Sequence, residues 1–292
     1  MNTIQMKAFG KVNLGLDVIR RRGDGYHEVR MIMQTIQLYD KITIDKARQE
    51  GIMLETNLAF LPVNENNIAY KAARMLMEEF HIPGGLSIKI EKHIPVAAGM
   101  AGGSTDGAAV LYGINRMYRL GLTKTQLMER GVRLGADVPY CIMRGTVLSE
   151  GIGEVLTPVS PLPDCYILVA KPPISVSTKY VYEHLKLDSV EYHPDIDGMV
   201  EALEAGNLKE IADRMENVLE TVTIPEHPEI GQIKEVMRGE GALNAMMSGS
   251  GPTVFGIFED KKQGLKARDI LRKGTLAKQV YLVKPFNIRN NR

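Results

Sequence analysis

A chain of 292 residues, 44% hydrophobic and 24% charged, has room for one large domain or two moderate ones with real cores, and two are expected. Its formal net charge of +1 excludes a general pull toward nucleic acid or anionic membrane, so an acidic ligand must be held by a local cluster of donors. The N-terminal "MNTIQMKAFGKVN" has no secretory pattern, the longest uncharged run "GALNAMMSGSGPTVFGIF" is too polar to span a bilayer, and Cys141 and Cys165 lack CxxC spacing, so core thiols of a cytoplasmic protein are expected.

In chain order, "TIQMKAFGKVNLGLDVI", "VRMIMQTIQL" and "DKITIDKA" read as strands, the first two joined by the turn-like "RRGDGYH". "NNIAYKAARMLMEEF" places Ala69, Ala72, Ala73, Leu76, Met77 and Phe80 on one helical face, with Asn66 or Asn67 available as the cap. "LSIKIEKHI" alternates as a strand, and after the glycine-rich "PVAAGMAGGSTDGAA" a helix is predicted from about Ser104 to Tyr118. Thr123 caps the next helix, "TKTQLMERGVRLG", and Pro139 in "ADVPYCI" is expected to prevent regular helix there, leaving Asp137 in a sharply bounded turn. Three prolines in "PVSPLPDC" put a domain boundary between Val155 and Asp164. Strands and helices follow through "YILVAKP", "DGMVEALEAG", "LKEIADRMENVLE", "IGQIKEVMRG", "TVFGIF", "GLKARDILRKG" and "QVYLVKP", and their presence in both halves favours an α+β fold.

Glycines let backbone N–H groups turn toward one point, and a helix beginning there adds unpaired donors and a positive dipole end, which together suit a phosphate. Ser104 and Thr105 offer hydroxyls for phosphate or its magnesium, and Asp106 suits the first helical turn. The stretch is neither GxxxxGK[ST] nor GxGxxG, and tight packing alone is its bland alternative. Lys11 and Asn13 share one face of a strand, although an isolated lysine is ordinarily a solvated point charge. Tyr26 and His27 offer a ring and an imidazole, Asp137 is a turn carboxylate or a cap, and "MMSGSGPTVFGIF" is either a plain hairpin or a second ring of N–H donors. The six histidines show no metal-ligand spacing.

Taken together, "KAFGKVNLGLDVIRRRGDGYHE", "IPVAAGMAGGSTDGAAVL", "LGADVPYCIMRGTVLSEGIGE" and "MMSGSGPTVFGIF" resemble the GHMP kinase superfamily over nearly the whole chain. The "DGYH" in the first motif resembles the branch that phosphorylates the 2-hydroxyl of a cytidine diphosphate methylerythritol in the non-mevalonate (MEP) route to isoprenoids. The resemblance implies a two-domain α+β kinase, with a ribosomal S5 domain 2-like half over 1–158, a ferredoxin-like half over 159–292 and the active site in the cleft between them. It implies ATP and Mg2+ as cofactors, a small-molecule substrate, no nucleic acid or membrane partner, and a monomer or homodimer.

Carried over residue by residue, the resemblance makes Asp137 the general base and Lys11 the group that holds the acceptor hydroxyl, with Asn13 positioning the same end. Pro95, Val96, Ala97, Ala98, Gly99, Met100, Ala101, Gly102, Gly103, Ser104 and Thr105 would wrap the ATP phosphates, and Asn67, Ile68 and Lys92 would line the purine. Tyr26 and His27 would meet the cytosine, with Tyr182 stacking on it. The loop reads "GMAGGSTDGA" where the family pattern is "GLGGGSSDAA", so Met100, Ala101, Thr105 and Gly107 differ. Ala101 fits only if its backbone avoids the left-handed region, and Gly107 weakens its helix by roughly 1 kcal/mol relative to Ala. Two alternatives stand beside this reading: another GHMP kinase with a mevalonate-, homoserine- or sugar-type substrate, and a nucleotide-binding sensor without phosphoryl transfer.

Overall fold

The computed structural model describes residues 1–190 and 192–288. Two long strands, β1 (Thr3–Arg21) and β2 (His27–Ala47), pair with each other, and each runs through both of the compact units into which the chain divides. One unit comprises Met1–Gly10, Leu38–Val96 and Ala101–Met143; the other comprises Lys11–Gln37, Ala97–Met100 and the chain from Arg144 onward.

In the first unit the second half of β2 pairs antiparallel with β4 (Gly85–Glu91), from Lys41 opposite Glu91 to Ala47 opposite Gly85, and β3 (Gly51–Thr56) lies parallel to β4. Asn67 caps α1 (Ile68–Glu79), its side chain accepting from Ala69 N at 2.9 Å. The alanines of α1 leave room for α2 (Gly102–Tyr118), which packs beside it. Thr123 and Gln126 close a capping box at the start of α3 (Lys124–Val132). The expected turn at Pro139 is instead a short helix, α4 (Val138–Met143). Proline stands at its second residue, where a backbone N–H has no partner within the helix and its absence costs nothing.

In the second unit the first half of β2 pairs antiparallel with β5 (Thr146–Gly151), which pairs with β6 (Val155–Pro158). A separate antiparallel sheet has the order β10-β7-β9-β8, from β7 (Tyr166–Lys171), β8 (Asn244–Met247), β9 (Val254–Phe258) and β10 (Gln279–Val283). α9 (Pro228–Gly239) and α10 (Lys261–Lys273) cover it. Ile230, Ile233 and Met237 form the buried stripe of α9, each contributing about 1.5–3 kcal/mol by leaving water.

The unit also holds α5 (Thr178–His184), a 3₁₀ turn at Leu187–Ser189, and α6 (Ile196–Glu204). The segment "LKEIADRMENVLE", read from sequence as one element, is broken into α7 (Leu208–Asp213) and α8 (Glu220–Glu226). Between them the backbone bridges to β1: Leu16 N donates to Glu216 O at 2.9 Å and Val218 N to Leu16 O at 3.1 Å. Those bonds take the groups that a continuous helix would have used. Both cysteines are buried and neither forms a disulfide among the described residues, and burial pushes the Cys165 thiol up to about 12. Among the described residues no helix is long and apolar enough to cross a membrane.

Candidate functional site

The glycine-rich stretch has left-handed backbone at alternate residues, Ala97 (φ 49°), Gly99 (φ 68°) and Ala101 (φ 55°). This is the geometry that turns successive N–H groups to one side. Between them, Ala98 and Met100 bury their side chains and hold the loop down. Lys11 N donates to Met100 O at 3.3 Å. Gly99 lies so close to the turn after β8 that a Cβ there would stand 1.9 Å from Ser248 O, while Ser248 Oγ donates to Gly99 O at 3.0 Å.

Helix α2 opens immediately after this loop, at Gly102 rather than near Ser104. The N–H groups of its first residues have no partner within the helix and sit at its positive dipole end. The Ser104 hydroxyl makes no hydrogen bond among the described residues, whereas Thr105 Oγ1 donates to Phe9 O at 2.8 Å.

Two expectations about this loop are corrected. Ala101 does occupy the left-handed region, so its Cβ crowds its own backbone. Asp106 lies beyond the first turn of α2 and is buried in an ion pair. Lys92 Nζ stands 2.5 Å from Asp40 Oδ2 and 2.6 Å from Asp106 Oδ2, all three side chains being buried. Burial works against the ammonium, but Asp106 and Asp40 outweigh it and hold Lys92 above the usual lysine range. Burial also pushes Asp106 up to about 8, with Lys92 opposing and Asp40 reinforcing the shift, because one ammonium faces two carboxylates.

Asp40 was missed in the sequence, although Leu38, Asp40, Ile42 and Ile44 share one buried strand face and a carboxylate in that register needs a partner. Its other oxygen accepts from His93 N and Ile94 N, at 2.5 and 2.8 Å, which fixes the chain just ahead of the loop. The structure thus brings Lys92 under the start of α2, where a Cβ on Gly102 would stand 3.3 Å from Nζ. Ile68 packs on the same helix, against Gly103 and Gly107, with Asn67 as the cap just before it. Asp137 precedes α4, half-buried, its carbonyl accepting from Cys141 N while its carboxylate makes no hydrogen bond among the described residues.

In the second unit, Lys11 is 5% exposed, so it is not the solvated point charge that an isolated lysine would be. Its Nζ donates to Asn13 Oδ1 at 2.7 Å, and Asn13 Nδ2 donates to Met31 Sδ at 3.1 Å. A buried ammonium whose hydrogen bond goes to a neutral amide retains a strong attraction for an added anion. His27 and Tyr182 are in ring contact, their centroids 5.1 Å apart, and the neighbouring Tyr26 is 60% exposed. Burial, then the nearby Arg21, lower the His27 pKa below the ordinary histidine value.

Residues 67–145 match the family described as GHMP kinases N terminal domain, and residues 199–275 match GHMP kinases C terminal. A 4-diphosphocytidyl-2-C-methyl-D-erythritol kinase from Lachnoclostridium phytofermentans is 55% identical over 99% of this chain and 100% of its own length. One from Lachnospira eligens is 53% identical over 98% and 99%. A crystal structure of 4-(cytidine 5'-diphospho)-2C-methyl-D-erythritol kinase superposes with a TM-score of 0.84 at 30% identity, covering 98% of this chain and all of that one. The chain belongs to the GHMP kinases and, among them, to the 4-diphosphocytidyl-2-C-methyl-D-erythritol kinase family.

Proposed function

We propose that the protein transfers the γ-phosphoryl group of ATP to the 2-hydroxyl of 4-diphosphocytidyl-2-C-methyl-D-erythritol, giving the 2-phosphate and ADP, in the MEP route of the bacterial cytoplasm. The observation that carries this reading is the alternating left-handed loop that opens onto the first turn of α2, in a chain 55% identical to a kinase of that name. Phosphoryl transfer asks little covalent chemistry of a protein and much positioning and charge neutralisation, which this loop and its neighbours suit.

In this reading Pro95 to Thr105 cradle the polyphosphate, and Asn67, Ile68 and Lys92 border the purine. Lys11 steadies the acceptor oxygen, Asn13 orients Lys11, and Asp137, whose carboxylate is uncommitted, takes the hydroxyl proton. Tyr26, His27 and Tyr182 hold the cytosine. The residues fit magnesium bound with the nucleotide, since Ser104 carries an uncommitted hydroxyl beside the loop; the ion would neutralise phosphate charge there. The roles divide along the chain at about residue 158, with the loop, Lys11 and Asp137 in 1–158 and Tyr182 in 159–292.

The test is to mix purified protein and Mg-ATP separately with the cytidylylated methylerythritol, mevalonate and homoserine, and to follow ADP release. Only the first alcohol is expected to respond. A response to either of the others would move the substrate elsewhere in the superfamily, and ATP binding without ADP release from any of them would favour a sensor.

A further inference from the structure

The side chain of Asn217, buried in the break between α7 and α8, and that of Glu220, the half-buried first residue of α8, hold the backbone of the residue that leads into the Ser248 turn. Asn217 Nδ2 donates to Met247 O at 2.9 Å and to Gly249 O at 2.8 Å, and its Oδ1 accepts from Leu219 N at 3.0 Å. Glu220 Oε1 accepts from Met247 N at 2.7 Å, and its other oxygen is paired with Lys234. Both backbone groups of Met247 are therefore satisfied by side chains, although the residue ends a strand.

The turn they fix touches the two features to which the kinase reading gives work. Ser248 presses on Gly99, as described above, and a Cβ on Gly249 would stand 3.3 Å from Gly99 O and 3.6 Å from Asn13 Oδ1. Gly249 itself has left-handed backbone (φ 59°), a conformation that its own sequence holds only loosely. The bridge of Leu16 to Glu216 and Val218 ties the same break to β1, a few residues beyond Lys11 and Asn13.

We propose that Asn217 and Glu220 are positioning residues for the nucleotide: they set the Ser248–Gly249 turn, which in turn sets Gly99 of the phosphate loop. The proposal rests on the reading of that loop as the ATP site. It gives a reason for the interruption of a segment that otherwise has helical spacing. Asn217 has to leave the helix to present both amide hydrogens to the turn.

The experiment uses the full chain with substitutions Asn217→Ala, Asn217→Asp, Glu220→Ala, Glu220→Gln and Ser248→Ala. For each protein, the affinity for a non-hydrolysable ATP analogue is measured beside KM for ATP, KM for the alcohol, kcat and the thermal midpoint. Asn217→Ala is expected to weaken analogue binding and raise KM for ATP by about 10-fold, with a smaller rise in KM for the alcohol, because Ser248 is hydrogen-bonded to Gly99 whereas Gly249 only lies beside Asn13. Asn217→Asp is expected to fall below Asn217→Ala, since it sets carboxylate oxygens against two carbonyls. Glu220→Gln, which keeps an acceptor for Met247 N, should recover most of what Glu220→Ala loses.

Ser248→Ala removes only the bond to Gly99 O and decides the matter should the Asn217 variants not fold: it should raise KM for ATP and leave KM for the alcohol in place. Wild-type analogue affinity in folded Asn217→Ala or Ser248→Ala overturns the proposal, and so does a loss of thermal midpoint and kcat with both KM values unchanged. If the unaltered protein binds the analogue and phosphorylates none of the alcohols, the kinase reading fails, and analogue affinity still decides this one.

Discussion

Gly107 of α2 and Ile68 of α1 occupy one space: a Cβ on Gly107 would stand 2.5 Å from Ile68 Cγ2. The β-branched methyl has little freedom to move aside on a helix. The glycine that departs from the family pattern is thus matched to the isoleucine opposite it, and the helix propensity it forgoes is the cost of that contact.

Gly107→Ala should therefore destabilise the protein by about 1 kcal/mol, overpacking of roughly 1–3 kcal/mol outweighing a propensity gain of roughly 1 kcal/mol. In an Ile68→Ala background the same change should stabilise. Urea unfolding of the four proteins measures the coupling, expected to be at least about 1 kcal/mol. Additive effects would show that the two residues do not compete.

Ala101 makes the opposite prediction. Relief of a left-handed alanine is worth roughly 1–2 kcal/mol, and the added freedom of glycine in the unfolded chain takes back roughly 0.4–1 kcal/mol. Ala101→Gly should raise the stability by about 0.5–1 kcal/mol, read as a higher denaturation midpoint at unchanged slope. A lower midpoint would mean that the loop carries no strain at this residue.

The Lys92 cluster predicts a pH dependence. With its pKa near 8 in the folded protein and near 3.8 otherwise, Asp106 holds a proton in the native state that the unfolded chain has released. Its contribution to stability is full at acid pH and is lost as pH rises through that window, the reverse of a carboxylate stabilised by its partner. Asp106→Asn should flatten this slope while retaining most of the stability at neutral pH. Lys92→Met should cost about 3–5 kcal/mol, since it leaves the buried Asp40 carboxylate with no cation. Equal slopes in the wild type and Asp106→Asn would place the proton elsewhere.

Asp137→Ala should lower turnover by a factor of about 100 or more, the usual range for a lost general base, with little change in the unfolding midpoint. A folded variant with wild-type turnover would remove Asp137 from the proposed mechanism.

Much of this was legible from sequence where the determining contacts are local. Asn67 and Thr123 cap the helices that follow them because a cap reaches only two or three residues. The loop was visible because its glycines lie directly before a helical pattern. Pro139 misled because proline at a helix start looks the same in a sequence as proline at a helix end. The partners of Asp40 and Asp106 lie 52 and 14 residues away, so each looked like an ordinary polar residue in its own neighbourhood. The break at Asn217 is set by Leu16, about two hundred positions earlier, and no local propensity could report it.

The interleaving of the two units bears on how the chain reaches its fold. The first unit is complete once synthesis has passed Met143, but Lys11–Gln37 must wait: its partners include β5, Asn217 and, through Ile36, the bridge to Pro285. The segment bearing Lys11 and Asn13 leaves the ribosome long before the partners that satisfy it. Pairings of such long sequence separation close slowly. In the interval β2 lacks β5 and exposes an unpaired edge, so early truncation or slow synthesis should be felt first as aggregation of nascent chains.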